Sequence, residues 1–211
     1  MTENSIVYIV DDDPSIRKSL KRLIGSTGLR VQVFPSAGEF LQIELPDQPS
    51  CLVLDVKLPD FSGPELQQQL CQKSNPLPIV FITGHGDLPM AVRAMKRGAI
   101  DFLSKPYDET DLLAAVNSGL DKSRCYLAKS FEKKSIDLRL QQLTPREFEI
   151  MTYVIGGFLN KQIAYYLGIT EKTVKVHRAR VMSKLQVNSV AELVRFTAKV
   201  NILPVTTPSD A

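Results

Sequence analysis

Cysteine is scarce. The 211 residues hold three, Cys51, Cys71 and Cys125, odd in number and far apart. That spacing gives neither a disulfide framework nor a metal-binding cluster, so free thiols in a reducing cytoplasm are expected. Long apolar runs are also missing, and none approaches the ~20 residues that a membrane-spanning helix needs. The N-terminus, "MTENS", lacks the basic region and apolar core of a secretory signal. These absences predict a cytoplasmic chain with no membrane association. A hydrophobic content of 44% and a charged content of 23% are those of an ordinary globular protein, and the length suits two small domains or one larger one.

The net charge of +3 hides an asymmetry. Residues 1–121 carry 11 Lys and Arg against 16 Asp and Glu, residues 122–141 carry 6 against 2, and residues 142–211 carry 9 against 5. An acidic first part followed by a basic remainder implies separate jobs, the second suited to a polyanion.

The first 121 residues alternate apolar runs with amphipathic stretches. The runs are "IVYIV" (6–10), "RVQVF" (30–34), "CLVLD" (51–55), "PIVFI" (78–82) and "IDFLS" (100–104). The first, third and fourth are almost wholly apolar, as expected for strands covered on both faces. Between and after them come helical stripes: Ile16, Leu20, Leu23 and Ile24; Leu66 and Leu70; Ala91, Ala94 and Met95; Leu112, Leu113, Val116 and Leu120. This alternation predicts an α/β domain, a (βα)5 doubly wound parallel sheet, over residues 4–121. Residues 122–141 have no Pro or Gly. They read either as a helical linker, with a seam running from Leu112 through Leu127 and Phe131 to Leu138, or as a flexible polar one. Residues 142–203 show only helix signals. "TPRE" (144–147) is a capping box with Pro145 at the first helical position, and "SVAE" (189–192) is a second. Asn160 and Thr170 are N-cap candidates, with Gly168 in the turn between their helices. Four short helices with a tight glycine turn predict an all-α helix-turn-helix domain. Residues 204–211 form a tail, and the end of the chain from Asn201 is expected to fray.

The stretch "SIVYIVDDDPSIR" sets three carboxylates against the end of a buried strand. At ~4 Å and an effective dielectric of ~20, each pair would cost ~4 kcal/mol, so something must offset the repulsion. Other strands also end in polar groups: Asp55 after "CLVL", Thr83 after "PIVFI", and Lys105 in "IDFLSKP". If the first strand lies between the second and the third, these groups converge at the carboxyl edge of the sheet, where such folds bind ligands. Carboxylates gathered there suit Mg²⁺, and a hydroxyl and an ammonium beside it suit phosphoryl oxygens. Asp13 stands apart from its neighbours. It precedes Pro14 and is placed to cap the first helix.

Asp-Asp, Asp, Thr and Lys-Pro at these strand ends resemble the receiver domain of two-component response regulators. The resemblance implies that Asp55 is the phosphoacceptor, and that Asp11, Asp12, Asp55 and the backbone carbonyl of Lys57 hold Mg²⁺, Asp11 through water. It implies that Thr83 and Lys105 bind the phosphoryl group, that Phe102 is the aromatic switch, and that a cis peptide precedes Pro106. Lys57 and His85 border this pocket. Asp11-x-Asp13 with a later Thr and Lys also resembles the haloacid dehalogenase-type phosphatases, with Asp11 as nucleophile, but that reading leaves Asp55 unexplained and finds Ser15 where its motif wants Thr or Val.

The segment from Leu143 to Val187 resembles the LuxR-type helix-turn-helix. The likeness rests on Leu143-Thr144-Pro145-Arg146-Glu147, Gly157, Asn160-Lys161-Gln162-Ile163-Ala164, Leu167, Ile169, Thr173-Val174-Lys175-Val176-His177 and Lys184-Leu185. In the helix after Thr170, Val174, Val181 and Leu185 share a core-facing stripe and the other faces are basic, which suits the major groove. Lys175 and Val176 are candidates for base-edge contact. Lys161, Lys172, His177, Arg178 and Arg180 are candidates for phosphate contact, and Thr173 belongs to the same matched motif. The chain departs from the pattern at Leu159, where a small hydroxyl residue is usual, at Ala179, and around "NSVAE".

Both resemblances together point to the NarL/FixJ type, and "FITGHGDLPMAVRAMKRGAIDFLSKP" to its FixJ branch. They imply a transcription regulator rather than an enzyme. Its partners would be a sensor histidine kinase, double-stranded promoter DNA, RNA polymerase and a second copy of itself after phosphorylation. A constitutive dimer held by the 112–138 seam is the competing idea.

Overall fold

The computed structural model describes residues 5–71, 77–84 and 88–206. The chain divides into two compact units, Met1–Lys129 and Ser130–Ala211.

The first unit is a five-stranded parallel sheet in the order β2-β1-β3-β4-β5. Its strands are β1 (Ile6–Val10), β2 (Arg30–Phe34), β3 (Ser50–Asp55), β4 (Ile79–Thr83) and β5 (Asp101–Ser104). The three near-continuous apolar runs are the three central strands. Residues 7–10 of β1 and all of β3 and β4 are buried, whereas β2 and β5 lie at the edges and alternate or stay half-open. The two-residue period sorts the side chains. Tyr8, Val10, Leu52, Leu54 and Phe81 face one layer, and Val7, Ile9, Cys51, Val53, Val80 and Ile82 face the other. The first layer packs on α2 (Ala37–Leu41), α3 (Gly63–Cys71) and α4 (Leu88–Lys96), the second on α1 (Pro14–Ser26) and α5 (Glu109–Leu140).

Asp13 caps α1 as its position ahead of Pro14 predicts. Its Oδ1 accepts from the N–H groups of Ser15 at 2.7 Å and Ile16 at 3.4 Å. α2 is a single turn of five residues, and Pro46 and Pro49 soon follow it. α5 extends for 32 residues, so residues 122–140 are helical. The seam expected along it is not continuous. Leu112, Val116 and Leu120 are buried in the layer under the sheet, Leu127 is half-buried, and only Phe131 and Leu138 are exposed.

In the second unit, α6 (Pro145–Ile155), α7 (Asn160–Leu167), α8 (Glu171–Leu185) and α9 (Val190–Ala198) surround Ile150, Met151, Val154, Ile163, Val174, Val181, Leu185 and Leu193. The predicted stripe of α8 is buried as drawn. Thr144 and Glu147 form the predicted capping box of α6, and Gly168 adopts the left-handed conformation (φ 63°) that the turn between α7 and α8 requires. Three local expectations change. Asn160 is the first residue of α7 rather than its cap; the cap position is Leu159, whose side chain cannot accept a hydrogen bond, and Gln162 Oε1 satisfies its N–H instead. Ser189 caps α9, but Glu192 reaches back to the N–H of Asn188 rather than to that of Ser189, so the second box is not closed. The chain after α9 does not fray at once: the N–H of Val205 bonds the carbonyl of Thr152, and Ile202 and Val205 pack on the helical core. This close approach needs Gly156, because a Cβ there would meet the Val205 carbonyl at 2.6 Å.

Candidate functional sites: an acidic strand edge and a basic helix

The register of β1 and β3 pairs Val10 with Leu54, so Asp11 and Asp55 emerge side by side. β4 contributes Thr83 at its end, and Lys105 follows β5 with its N–H on the Thr83 carbonyl at 2.6 Å. The peptide between Lys105 and Pro106 is cis. Lys105 Nζ lies 2.9 Å from Asp11 Oδ2 and 2.8 Å from Asp55 Oδ1. The other oxygens are also held. Asp11 Oδ1 accepts from the N–H of Asp13 at 2.9 Å, and Asp55 Oδ2 accepts from the N–H of Lys57 at 2.7 Å. Asp11, Asp55 and Thr83 are buried, and Lys105 is partly exposed.

Burial pushes the Asp11 carboxyl above the usual carboxylate range, and the hydrogen bonds from Lys105 and the Asp13 N–H only partly offset it. Burial also works against the charge on Lys105, but the two carboxylates outweigh it and its pKa is raised. This ammonium supplies the cation that the aspartates need. A second cation was not visible in the sequence. Arg17, on α1, donates from Nη1 to the backbone carbonyl of Asp11 at 2.6 Å. Its only signal was its place one turn after Pro14.

Of the expected metal set, Asp11 and Asp55 share Lys105, whereas Asp12 is exposed. Among the described residues no three acidic, histidine or cysteine side chains are placed to hold a metal ion. The donor chemistry still fits Mg²⁺, with oxygen ligands only on adjacent strand ends and Lys105 balancing the charge. Lys57 is exposed, and its backbone bridges to Ser62. Phe102 is half-buried with its ring centroid 6.0 Å from that of Phe81. His85 lies outside the described residues.

On α8, Lys172, Lys175, Val176, Ala179 and Arg180 are exposed, as is Lys161 in the first turn of α7. Thr173 is half-buried, its hydroxyl 2.9 Å from that of Thr170. His177 is half-buried with a buried Nδ1 that has no hydrogen-bond partner among the described residues. Arg178 points elsewhere: its Nη1 donates to Asn160 Oδ1 at 2.7 Å, and the residue lines a small cavity with Ile150, Met151, Val154, Val181, Met182 and Leu193. It therefore links α7 to α8 instead of standing free. Glu147, buried, pairs with Lys184 at 2.6 Å and fastens α6 to α8. Among the described residues no helix is long and apolar enough to cross a membrane.

Residues 7–117 match the response regulator receiver domain, and residues 141–197 match the luxR family of bacterial regulatory proteins. Nodulation protein W of Bradyrhizobium diazoefficiens is 46% identical over 198 residues, which cover 94% of this chain and 87% of that one. The transcriptional regulatory protein FixJ of Azorhizobium caulinodans is 39% identical over 204 residues, 97% of each chain. Among solved structures, the response regulator StyR superposes with a TM-score of 0.83 at 46% identity, covering 93% of this chain and 99% of that one. The acidic strand edge and the basic helix thus lie in the two matched regions, and the chain belongs to the response regulators of the FixJ type, transcription regulators that join a receiver domain to a luxR-type DNA-binding domain.

Proposed function

We propose that the protein accepts a phosphoryl group on Asp55 from a sensor histidine kinase, dimerises, and binds promoter DNA. The observation that carries this reading is the placement of Asp55 at the carboxyl end of the central strand, one oxygen on Lys105 and the other on the Lys57 N–H. In the transfer, an Asp55 oxygen attacks phosphorus, the bond from phosphorus to the kinase histidine breaks, and the imidazole leaves with the electron pair. Asp11, Asp12, Asp55 and the Lys57 carbonyl would hold Mg²⁺, which shields charge between carboxylate and phosphoryl group. Lys105 can exchange a carboxylate oxygen for a phosphoryl oxygen and keep an anionic partner throughout. Thr83 is the hydroxyl at the next strand end and would bond a second phosphoryl oxygen. Phe102 already lies against Phe81, and its further inward turn would reshape the face of α4 and β5, which would pair two receivers.

For DNA, Lys175 and Val176 would read base edges, while Lys161, Lys172 and Arg180 would contact phosphates. Thr173 and His177 border this surface. Arg178 would act by holding α8 on α7, not by touching the backbone of the duplex. The same reading places RNA polymerase among the partners. The test is sedimentation and gel shift with and without acetyl phosphate. The wild type should dimerise and bind more tightly with the donor, and Asp55→Asn should do neither. An Asp55→Asn protein that behaves as the labelled wild type would refute the reading.

A further inference from the structure

The loop between β3 and α3 holds a carboxylate with an unexpected partner. Asp60, in "KLPDFSG", is exposed, and a solvated turn aspartate is the ordinary expectation. Its Oδ2 instead accepts from the N–H of Gly38 at 2.7 Å, and its Oδ1 from those of Ala37 at 3.3 Å and Phe61 at 3.1 Å. Ala37 and Gly38 are the first two residues of α2, whose own cap, Ser36, reaches only the N–H of Glu39. Asp60 therefore satisfies, from 22 and 23 residues away, two first-turn donors that the one-turn helix leaves open. Gly38 permits the approach, since a Cβ there would lie 3.1 Å from Asp60 Oδ2. Slight burial works against the charge on Asp60, but the N–H groups around it, that of Gly38 foremost, hold its pKa below the usual value.

The other end of this loop is the phosphoacceptor. Lys57 bonds Asp55 Oδ2 through its N–H and bridges to Ser62, the N–H of Gly63 bonds the Val56 carbonyl at 2.9 Å, and that of Ser62 bonds Glu65 Oε2 at 2.9 Å. β1 lies between β2 and β3. The Asp60 contact thus joins connections that leave the sheet on either side of the strand carrying Asp11 and Asp12.

We propose that Asp60 is a positioning residue of the phosphoacceptor pocket, fastening the β3–α3 loop to α2 so that the Lys57 backbone is held beside Asp55. The proposal rests on the reading of Asp55 given above for the name of the pocket, but not for the mechanical link itself. The test uses the full chain and compares Asp60→Ala, Asp60→Asn and Gly38→Ala with the wild type. Loss of one capping contact should speed amide hydrogen exchange about fivefold. In Asp60→Ala the acceleration should appear at Gly38 and also at Lys57. The Mg²⁺ concentration that half-saturates labelling by acetyl phosphate should rise in the same variant, by more than the maximal rate falls. Asp60→Asn keeps an oxygen for Gly38 and should restore most of both, while Gly38→Ala, whose Cβ would press on Asp60 Oδ2, should show at most a small part of the defect with the loop sequence unchanged. If Gly38 exchanges faster while Lys57 and the Mg²⁺ dependence stay as in the wild type, Asp60 merely caps α2 and the proposal is overturned. Labelling that survives in Asp55→Asn would sink the phosphoacceptor reading instead, and exchange at Lys57 would still decide the role of Asp60.

Discussion

The three aspartates after β1 stand in three different settings. Asp11 is buried and paired with Lys105, Asp12 is exposed, and Asp13 caps α1. The cost of burying an ionised Asp11 has a testable sign. Its folded pKa is raised above the unfolded value, so the folded state binds the proton more tightly, and the group favours folding most below the unfolded value and loses that contribution as pH rises through the folded one. At neutral pH Asp11 is therefore a burden, and Asp11→Asn should raise the melting temperature measured at pH 7, since Lys105 keeps Asp55 as its partner. At Asp13, removal of the cap by Asp13→Ala should cost about 1 kcal/mol in urea unfolding, whereas Asp13→Asn, which still caps, should cost little. Arg178 shows what residue identity leaves out when partners are hidden. The sequence offers it as one more phosphate-binding arginine, and only the fold reveals its bond to Asn160. Arg178→Ala should lower stability and DNA affinity together with little change in salt slope, while Lys161→Ala should lower the slope by about one unit without unfolding the domain.

Helices and strands were legible where period and punctuation agreed. The buried runs of β1, β3 and β4, the cap before Pro14 and the core stripe of α8 follow directly from residue pattern. Misreadings fell where a local signal had two uses. Asn160 has the chemistry of a cap, but Arg178 claims its oxygen, and Glu192 spends its carboxylate on Asn188 rather than Ser189. The link from Asp60 to Gly38 spans too many residues for any pattern to announce. Packing between elements was equally hidden. α5 crosses β3 at Gly119, where a Cβ would fall 2.5 Å from Cys51 Sγ. Cys51 is fully enclosed, and its thiol pKa is pushed up to about 12 by burial. Gly119→Ala should cost about 1–3 kcal/mol through overpacking, and adding Cys51→Ala should return part of that loss in denaturant unfolding, because the pair couples. In the second unit, Lys184 and then the Thr144 N–H hold the Glu147 carboxyl down to about 2. A depressed acid stabilises above its unfolded pKa of 4.5 and loses that contribution as pH falls to about 2. The Lys184 pair and the capping box together should then stabilise the second unit at neutral pH, and acid unfolding of Glu147→Gln should lack that part of the transition.

The whole molecule sets a net-acidic receiver before a net-basic reader, and this asymmetry was plain in the sequence because charge needs no fold to be counted. How the first would control the second was not legible, since the pairing proposed above is a property of a population rather than of one chain. Salt dependence can measure it. Binding that neutralises Z phosphates has a slope in log K against log salt of about −0.9Z. With Lys161, Lys172 and Arg180 as the exposed phosphate contacts, one basic domain should show a slope of about −3, and two paired domains a slope of about −5. Acetyl phosphate should therefore steepen the wild-type slope nearly twofold, while Asp55→Asn should keep the shallow one at every donor concentration. A slope that is steep before phosphorylation and unchanged after it would mean that the protein is a dimer from the start. The α5 seam offers little support for that outcome, because only Phe131 and Leu138 remain exposed along it. A shallow slope that phosphorylation does not alter would instead mean that single chains bind DNA and that the receiver acts on something other than pairing.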